Sequence, residues 1–255
     1  MIKMMKEIKT DKLITRVLED RRLLGAAAAE AVYRKISSLL ATEPYINIIF
    51  AAAPSQNEFL SGLIEKDIDW SRINAFHMDE YIGLDADAPQ GFGNFLKARI
   101  FDKVGFRSVN YIDGNAARME DECLRYENLL QQFPPHIVCM GIGENTHIAF
   151  NDPHVADFND KKLVKVVDLD MECRQQQVND GCFASITQVP QYALTLTIPT
   201  LFSGKYLFCM VPGDKKAKAV HHTLTQEITE KYPSTILRRH QNAIMFTDTQ
   251  SSTFL

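Results

Sequence analysis

Short apolar runs rich in β-branched residues alternate along this chain with segments of helical character, and that alternation limits the fold more than any other feature. Runs at 45–53, 73–76, 137–140 and 206–211 read as buried strands. Further strands are expected at 109–112, 163–167, 192–198 and 243–247. Helical character is read at 13–40, 56–65, 95–104, 119–132, 214–223 and 233–240, while 171–183 fits either a helix or a mobile segment. Strands and helices in this order require an α/β fold, with a mostly parallel sheet covered on both faces and right-handed crossovers. No repeat, low-complexity tract or linker divides residues 1–255, so one domain is expected.

Such a sheet gathers the loops at the carboxyl ends of its strands along one edge. Residues 51–55, 77–81, 141–152 and 213–216 are therefore expected to converge. The most informative of these loops follows the run Ile137-Val138-Cys139-Met140. Gly141 and Gly143 break the strand there, and Glu144, Asn145, His147 and Asp152 follow. A histidine near its ordinary pKa of about 6.5 can shuttle protons at neutral pH, and a nearby carboxylate can fix its tautomer. Asp79 and Glu80 form an acidic pair just past the strand at 73–76; they are either a candidate base with raised pKa or a helix cap or surface charge. Arg174 and Lys216 are either solvated charges or phosphate ligands, and Lys216 falls in the first turn after Pro212-Gly213.

Composition excludes other classes. The formal net charge is −4, and aromatics are not interleaved with basic runs, so no nucleic-acid partner is expected. The longest apolar run, 23–29, is too short to cross a bilayer, and no membrane partner is expected. The first ten residues show no apolar core and no cleavage site of a signal peptide. Five cysteines without a C-x-x-C pair read as reduced thiols of a cytoplasmic protein. The histidines show no metal-ligand spacing, no Gly-x-Ser-x-Gly elbow is present, and Gly141-Ile142-Gly143 lacks the third glycine of a dinucleotide fingerprint.

Two motifs in order are recognisable. Phe76-His77-Met78-Asp79-Glu80-Tyr81-Ile82-Gly83-Leu84, followed by residues 141–153, resembles the glucosamine-6-phosphate deaminase/isomerase family. Val189-Pro190-Gln191-Tyr192-Ala193-Leu194-Thr195 and Gly213-Asp214-Lys215-Lys216-Ala217 extend the resemblance toward the C-terminus. It implies a three-layer modified Rossmann-like sandwich, and conversion of glucosamine 6-phosphate and water to fructose 6-phosphate and ammonia without metal or organic cofactor. Asp79 matches the base at C2, His147 the ring-opening residue, and Asp152 the acid of its relay, where the family usually has glutamate. Arg174 and Lys216 match phosphate ligands, and the segment after Pro153 up to about Phe183 would be a lid. The expected partner is a small-molecule sugar phosphate; the family runs from monomer to hexamer, which allows a homo-oligomer.

The chain also departs from that pattern. Asn145-Thr146-His147 replaces Asp-Gly-His, with Glu144 next door as a possible source of charge. The phosphate loop reads Ala52-Ala53-Pro54-Ser55 instead of Gly-Gly-Thr, which adds two Cβ atoms and removes an N–H. Two other readings follow: a 6-phosphogluconolactonase-like hydrolase on the same fold, and a non-catalytic sugar-phosphate sensor. The stretch Ile148-Ala149-Phe150-Asn151-Asp152-Pro153 follows the deaminase pattern rather than the lactonase one.

Overall fold

The computed structural model describes residues 4–255. Its elements are β1 (Lys6–Thr10), β2 (Leu13–Leu18), α1 (Arg21–Leu40), β3 (Ile46–Phe50), α2 (Asn57–Ile64), β4 (Ile73–His77), β5 (Asp79–Tyr81), α3 (Phe92–Leu96), β6 (Ser108–Asn110), α4 (Met119–Gln132), β7 (Ile137–Met140), β8 (Val164–Asp168), α5 (Met171–Asn179), β9 (Tyr192–Leu196), α6 (Ile198–Phe202), β10 (Tyr206–Val211), α7 (Ala217–Thr225) and β11 (Ala243–Asp248). The main sheet has the order β1-β2-β11-β10-β7-β3-β4-β6, and a smaller one the order β5-β9-β8. Every pairing in the main sheet is parallel except β1 with β2. The small sheet is antiparallel.

The strands are apolar on both faces because helices cover both. In β3, Ile46, Ile48 and Phe50 join a core with Leu24, Ala28 and Val32 of α1 and Phe59 and Leu63 of α2, while Ile49 joins Tyr126 of α4 and Val220 of α7 on the opposite face. This gives the helix–sheet–helix layering expected of an α/β sandwich. Register is fixed by polar side chains in neighbouring strands. Asn47 donates to the Pro134 carbonyl at 2.8 Å, Asn74 donates to Asn47 at 2.8 Å, and Ser108 donates to Asn74 at 2.8 Å. The three lie opposite one another across β3, β4 and β6. A one-residue slip would separate these buried groups and leave them unpaired.

The chain differs from its sequence reading at several elements. The single helix expected over 13–40 is a strand followed by a helix. The alternating burial of β2 continues the main sheet, and Asp20 caps α1 by accepting from the Leu23 N–H at 2.7 Å. β1 has no counterpart in the sequence reading because it is an exposed, charged edge strand with little apolar signal. Residues 79–81, read as a loop, form β5. Ile198 opens α6 rather than ending β9. The signal-peptide reading of the first ten residues falls partly on residues 1–3, which lie outside the described residues.

Gly25 lets α1 approach α2. A Cβ there would lie 2.7 Å from the Glu58 carbonyl carbon and 2.8 Å from the Phe59 nitrogen, and backbone cannot yield as a side chain can. Gly25→Ala is expected to lower unfolding stability by about 1–3 kcal/mol, the usual range for overpacking. Urea denaturation would show it, and unchanged stability would contradict this packing.

Candidate active site

The sheet order reverses between β3 and β7: the chain proceeds from β3 to β4 and β6 on one side, and from β7 to β10 and β11 on the other. Open α/β sheets bind ligands beyond the carboxyl ends of strands at such a switch point. A cleft lies there, lined by Ala51–Ser55 after β3, Asp79 after β4, Gly141–Gly143 and His147 after β7, and Lys216 after β10. The four expected loops thus meet, joined by Gln176, Gln177 and Asp180 from α5 and the turn behind it.

His147 is placed by its own loop. A Cβ on Gly143 would clash with three atoms of the His147 ring, so only glycine leaves the imidazole room to lie against the backbone there. Gly143 N–H donates to the His147 carbonyl at 2.9 Å and Thr146 N–H to the Gly143 carbonyl at 3.1 Å. Thr146 (φ 73°) and Ala149 (φ 51°) sit in the left-handed region, costly for residues with a Cβ. The loop is anchored to β9, with Phe150 N–H on Thr195 Oγ1 at 3.1 Å and Asn151 on the Leu196 carbonyl at 2.8 Å.

The ring's Nδ1 is 2.7 Å from Asn145 Oδ1 and 3.0 Å from Asp152 Oδ1. Both neighbours are acceptors, so Nδ1 carries a proton and Nε2 is the ring nitrogen left without a partner in the loop. Asn145 turns its amide N–H groups to Asp152 at 3.0 Å and Asp170 at 3.3 Å. Asp152 is fully buried. Burial raises its proton affinity, but His147, Asn145 and His154 together outweigh that and hold the carboxyl below its ordinary pKa. A buried carboxylate therefore backs the imidazole directly, despite the shorter side chain and the asparagine at 145. Asp170, which the sequence reading did not single out, also caps α5 by accepting from Cys173 N–H at 2.6 Å.

Asp79 is aimed by a histidine that is itself buried. His77 Nε2 accepts from Ile112 N–H at 2.9 Å, so Nδ1 must be the donor to the Asp79 carbonyl at 2.9 Å. Burial pushes the His77 pKa down to about 4 and keeps it neutral. Tyr126 Oη holds the same bend by accepting from His77 N–H and donating to the His77 carbonyl. Strand alternation then sends Asp79 and Glu80 to opposite faces of β5. Asp79 enters the cleft, and its carboxyl is pushed well above the ordinary pKa by burial and by Glu80.

Three of the candidate residues stand elsewhere than expected. Glu80 accepts backbone N–H groups from Tyr81, Phe92 and Gly93 at 2.8–2.9 Å, so it holds the start of α3 and does not line the cleft. Glu144 is not the partner of His147. Its N–H donates to Gln176 at 2.9 Å, and its charge acts on Lys216. Arg174 also lies outside the cleft, donating to the carbonyls of Ile186 and Val189 at 2.8 Å each. Lys216 does line the cleft with Ala52, Ala53 and Ser55. Burial lowers its pKa against the pull of Asp180 and Glu144. Sequence spacing indicated no metal ligands, yet His147, Asp152 and Cys173 bring one ligand atom each within 4.8 Å of one another, as do Asp152, His154 and Asp170. Contacts between residues far apart in sequence create both groups.

The fold is thus an α/β sandwich with a carboxyl and a histidine facing one cleft at its switch point. Residues 19–246 match the family model of glucosamine-6-phosphate isomerases/6-phosphogluconolactonase, and the chain belongs to that family. The glucosamine-6-phosphate deaminase of Bacillus cereus (strain B4264) is 30% identical over 223 residues, covering 88% of this chain and 83% of the relative. A solved monomeric glucosamine-6-phosphate deaminase superposes with a TM-score of 0.85 at 28% identity, covering 96% of this chain and all of that one. The 6-phosphogluconolactonase of Thermotoga maritima superposes with a TM-score of 0.75 at 21% identity over 93% of this chain, a likeness of fold.

Two outcomes test this geometry. Gly143→Ala is expected to move the His147 ring off Asp152, visible in imidazole nitrogen NMR; an unchanged ring environment would contradict the placement. The folded-state pKa of Asp79 is raised, so ionising it disfavours the native state. Its contribution to stability falls as pH rises from the unfolded value near 4 through the folded pKa. Asp79→Asn, which stays neutral, is therefore expected to gain stability over the wild type as pH rises across that window in urea titrations. A gap that does not widen would contradict a buried Asp79.

Proposed function

We propose that the protein is a deaminating aldose–ketose isomerase that converts glucosamine 6-phosphate and water to fructose 6-phosphate and ammonia. The observation that carries this reading is the pair facing one cleft: a buried carboxyl of raised proton affinity, Asp79, and a histidine backed by a buried carboxylate, Asp152. The C2 hydrogen of the sugar is acidic only beside a carbonyl, so the ring must open first. His147 accepts the proton of the C1 hydroxyl at Nε2 and hands it to the ring oxygen as the bond from C1 to the ring oxygen breaks. Asp79 then takes the proton from C2, and the resulting enamine is reprotonated at C1. Water adds to the imine at C2 and ammonia leaves. Asp152 favours the transient imidazolium, and Asn145 with Asp170 holds the relay in place.

A base whose pKa lies near the working pH is the most effective one, which suits a carboxyl raised by burial. The lining of Ala52, Ala53, Ser55 and Lys216 supports a phosphate at the other end of the sugar. No helix among the described residues is long and apolar enough to cross a membrane, and all five cysteines are free, which supports a reducing, cytoplasmic setting.

Purified protein is expected to release ammonia and fructose 6-phosphate from glucosamine 6-phosphate. Asp79→Asn and Asp152→Asn should each lower kcat on the order of 10²–10⁴-fold, the span for a lost acid–base group or its orienting acid. Accelerated hydrolysis of 6-phosphogluconolactone without ammonia release would favour the lactonase reading. Saturable sugar-phosphate binding without either product would favour a sensor.

A further inference from the structure

With Arg174 turned away, Lys216 is the one lysine or arginine lining the cleft among the described residues. The cleft does not end there. Beyond the loop after β3 lies an adjoining hollow, and Ala52, Ala53, Pro54, Gln177 and Asp180 line both spaces. Arg99 stands on the wall of that hollow, beside Cys182. It comes from a π-helical turn, Lys97–Phe101, that continues α3. Such turns are frequent at functional sites.

The side chain of Arg99 is held in place without being neutralised. Its Nε donates to Asn57 Oδ1 at 2.6 Å, at the first residue of α2, and its guanidinium carbon lies 3.6 Å over the Phe95 ring. Nη1 makes one long contact, 3.5 Å to the Phe95 carbonyl. Among the described residues no carboxylate pairs with it and Nη2 has no hydrogen-bond partner, whereas Arg16, Arg21, Arg34, Arg125 and Arg238 each pair with an acid. Asp180 is the acid common to both spaces, and it is engaged by Lys215 at 3.9 Å and Gln176 at 3.4 Å. An oriented, unpaired guanidinium beside a helix start is suited to an anion, since its fork matches phosphate oxygens.

We propose that Arg99 is the second cation of the anion subsite, acting with Lys216 on the phosphate monoester of the sugar substrate, and that it selects for phosphorylated sugars. This rests on the reading of the cleft as a sugar-phosphate site. The chain then keeps a two-cation subsite with its arginine on the α3 side, while Arg174 braces the segment behind α5.

Isothermal titration of the full chain with fructose 6-phosphate, inorganic phosphate and unphosphorylated fructose tests it, because none of these measurements needs turnover. Arg99→Met is expected to weaken binding of both phosphorylated ligands on the order of 10–100-fold, the loss of one or two charge-assisted hydrogen bonds. Arg99→Gln, which keeps a donor for Asn57, is expected to show the same loss with an unchanged melting temperature. Arg174→Met is expected to leave these affinities within about threefold, far short of one such bond. If the wild type binds fructose 6-phosphate and the Arg99 variants bind it equally well, the assignment is overturned and the function reading stands. If the wild type binds no sugar phosphate, both are overturned.

Discussion

The site depends on the contact between the His147 ring and the backbone at Gly143. The strand β7 ends in residues that leave room for an imidazole directly on the chain, and the loop carries it back in two left-handed residues. In that position Nδ1 meets Asn145 and Asp152 together, which sets the tautomer and presents Nε2 to the cleft. A side chain at 143 would deny the ring its place. Asp152 and Asn145 would then have nothing to orient, so the remainder of the proposed relay follows from this one contact.

Asp79 is held by the same kind of indirect support. His77, Tyr126 and the Ile112 N–H fix the bend between β4 and β5, and the bend decides that Asp79 rather than Glu80 faces the cleft. The two candidate proton carriers thus sit on separate strand ends of one rigid sheet, each braced by buried groups that do not line the cleft. Sites on rigid elements keep their geometry better than sites on free loops.

Much of this was legible in the sequence. The buried parallel strands β3, β4, β7 and β10 are continuous apolar runs, and the loops after them converge as the topology requires. Asp79, His147, Lys216 and the 52–55 loop line the cleft because their place follows from strand order alone. The failures have a common cause. Glu80 is claimed by N–H groups twelve and thirteen residues on, Arg174 by carbonyls twelve and fifteen residues on, and Asn145 by Asp170, twenty-five residues away. No local pattern reports such partners. The boundary between β2 and α1 was hidden for a different reason, because two periodicities adjoin, although Asp20 marked the helix start.

The asparagine at 145 is the clearest departure from the family pattern, and its setting shows how it is accommodated. Its amide bridges Asp152 and Asp170 while its oxygen meets the imidazole, so negative charge stands close behind the histidine. The most direct test of the proposed chemistry is the fate of the C2 hydrogen. Glucosamine 6-phosphate turned over in deuterium oxide should yield fructose 6-phosphate carrying deuterium at C1, read by NMR, with label and product formation both falling steeply in Asp79→Asn. Product whose label is the same with and without the Asp79 carboxyl would contradict the assignment of Asp79 as the base.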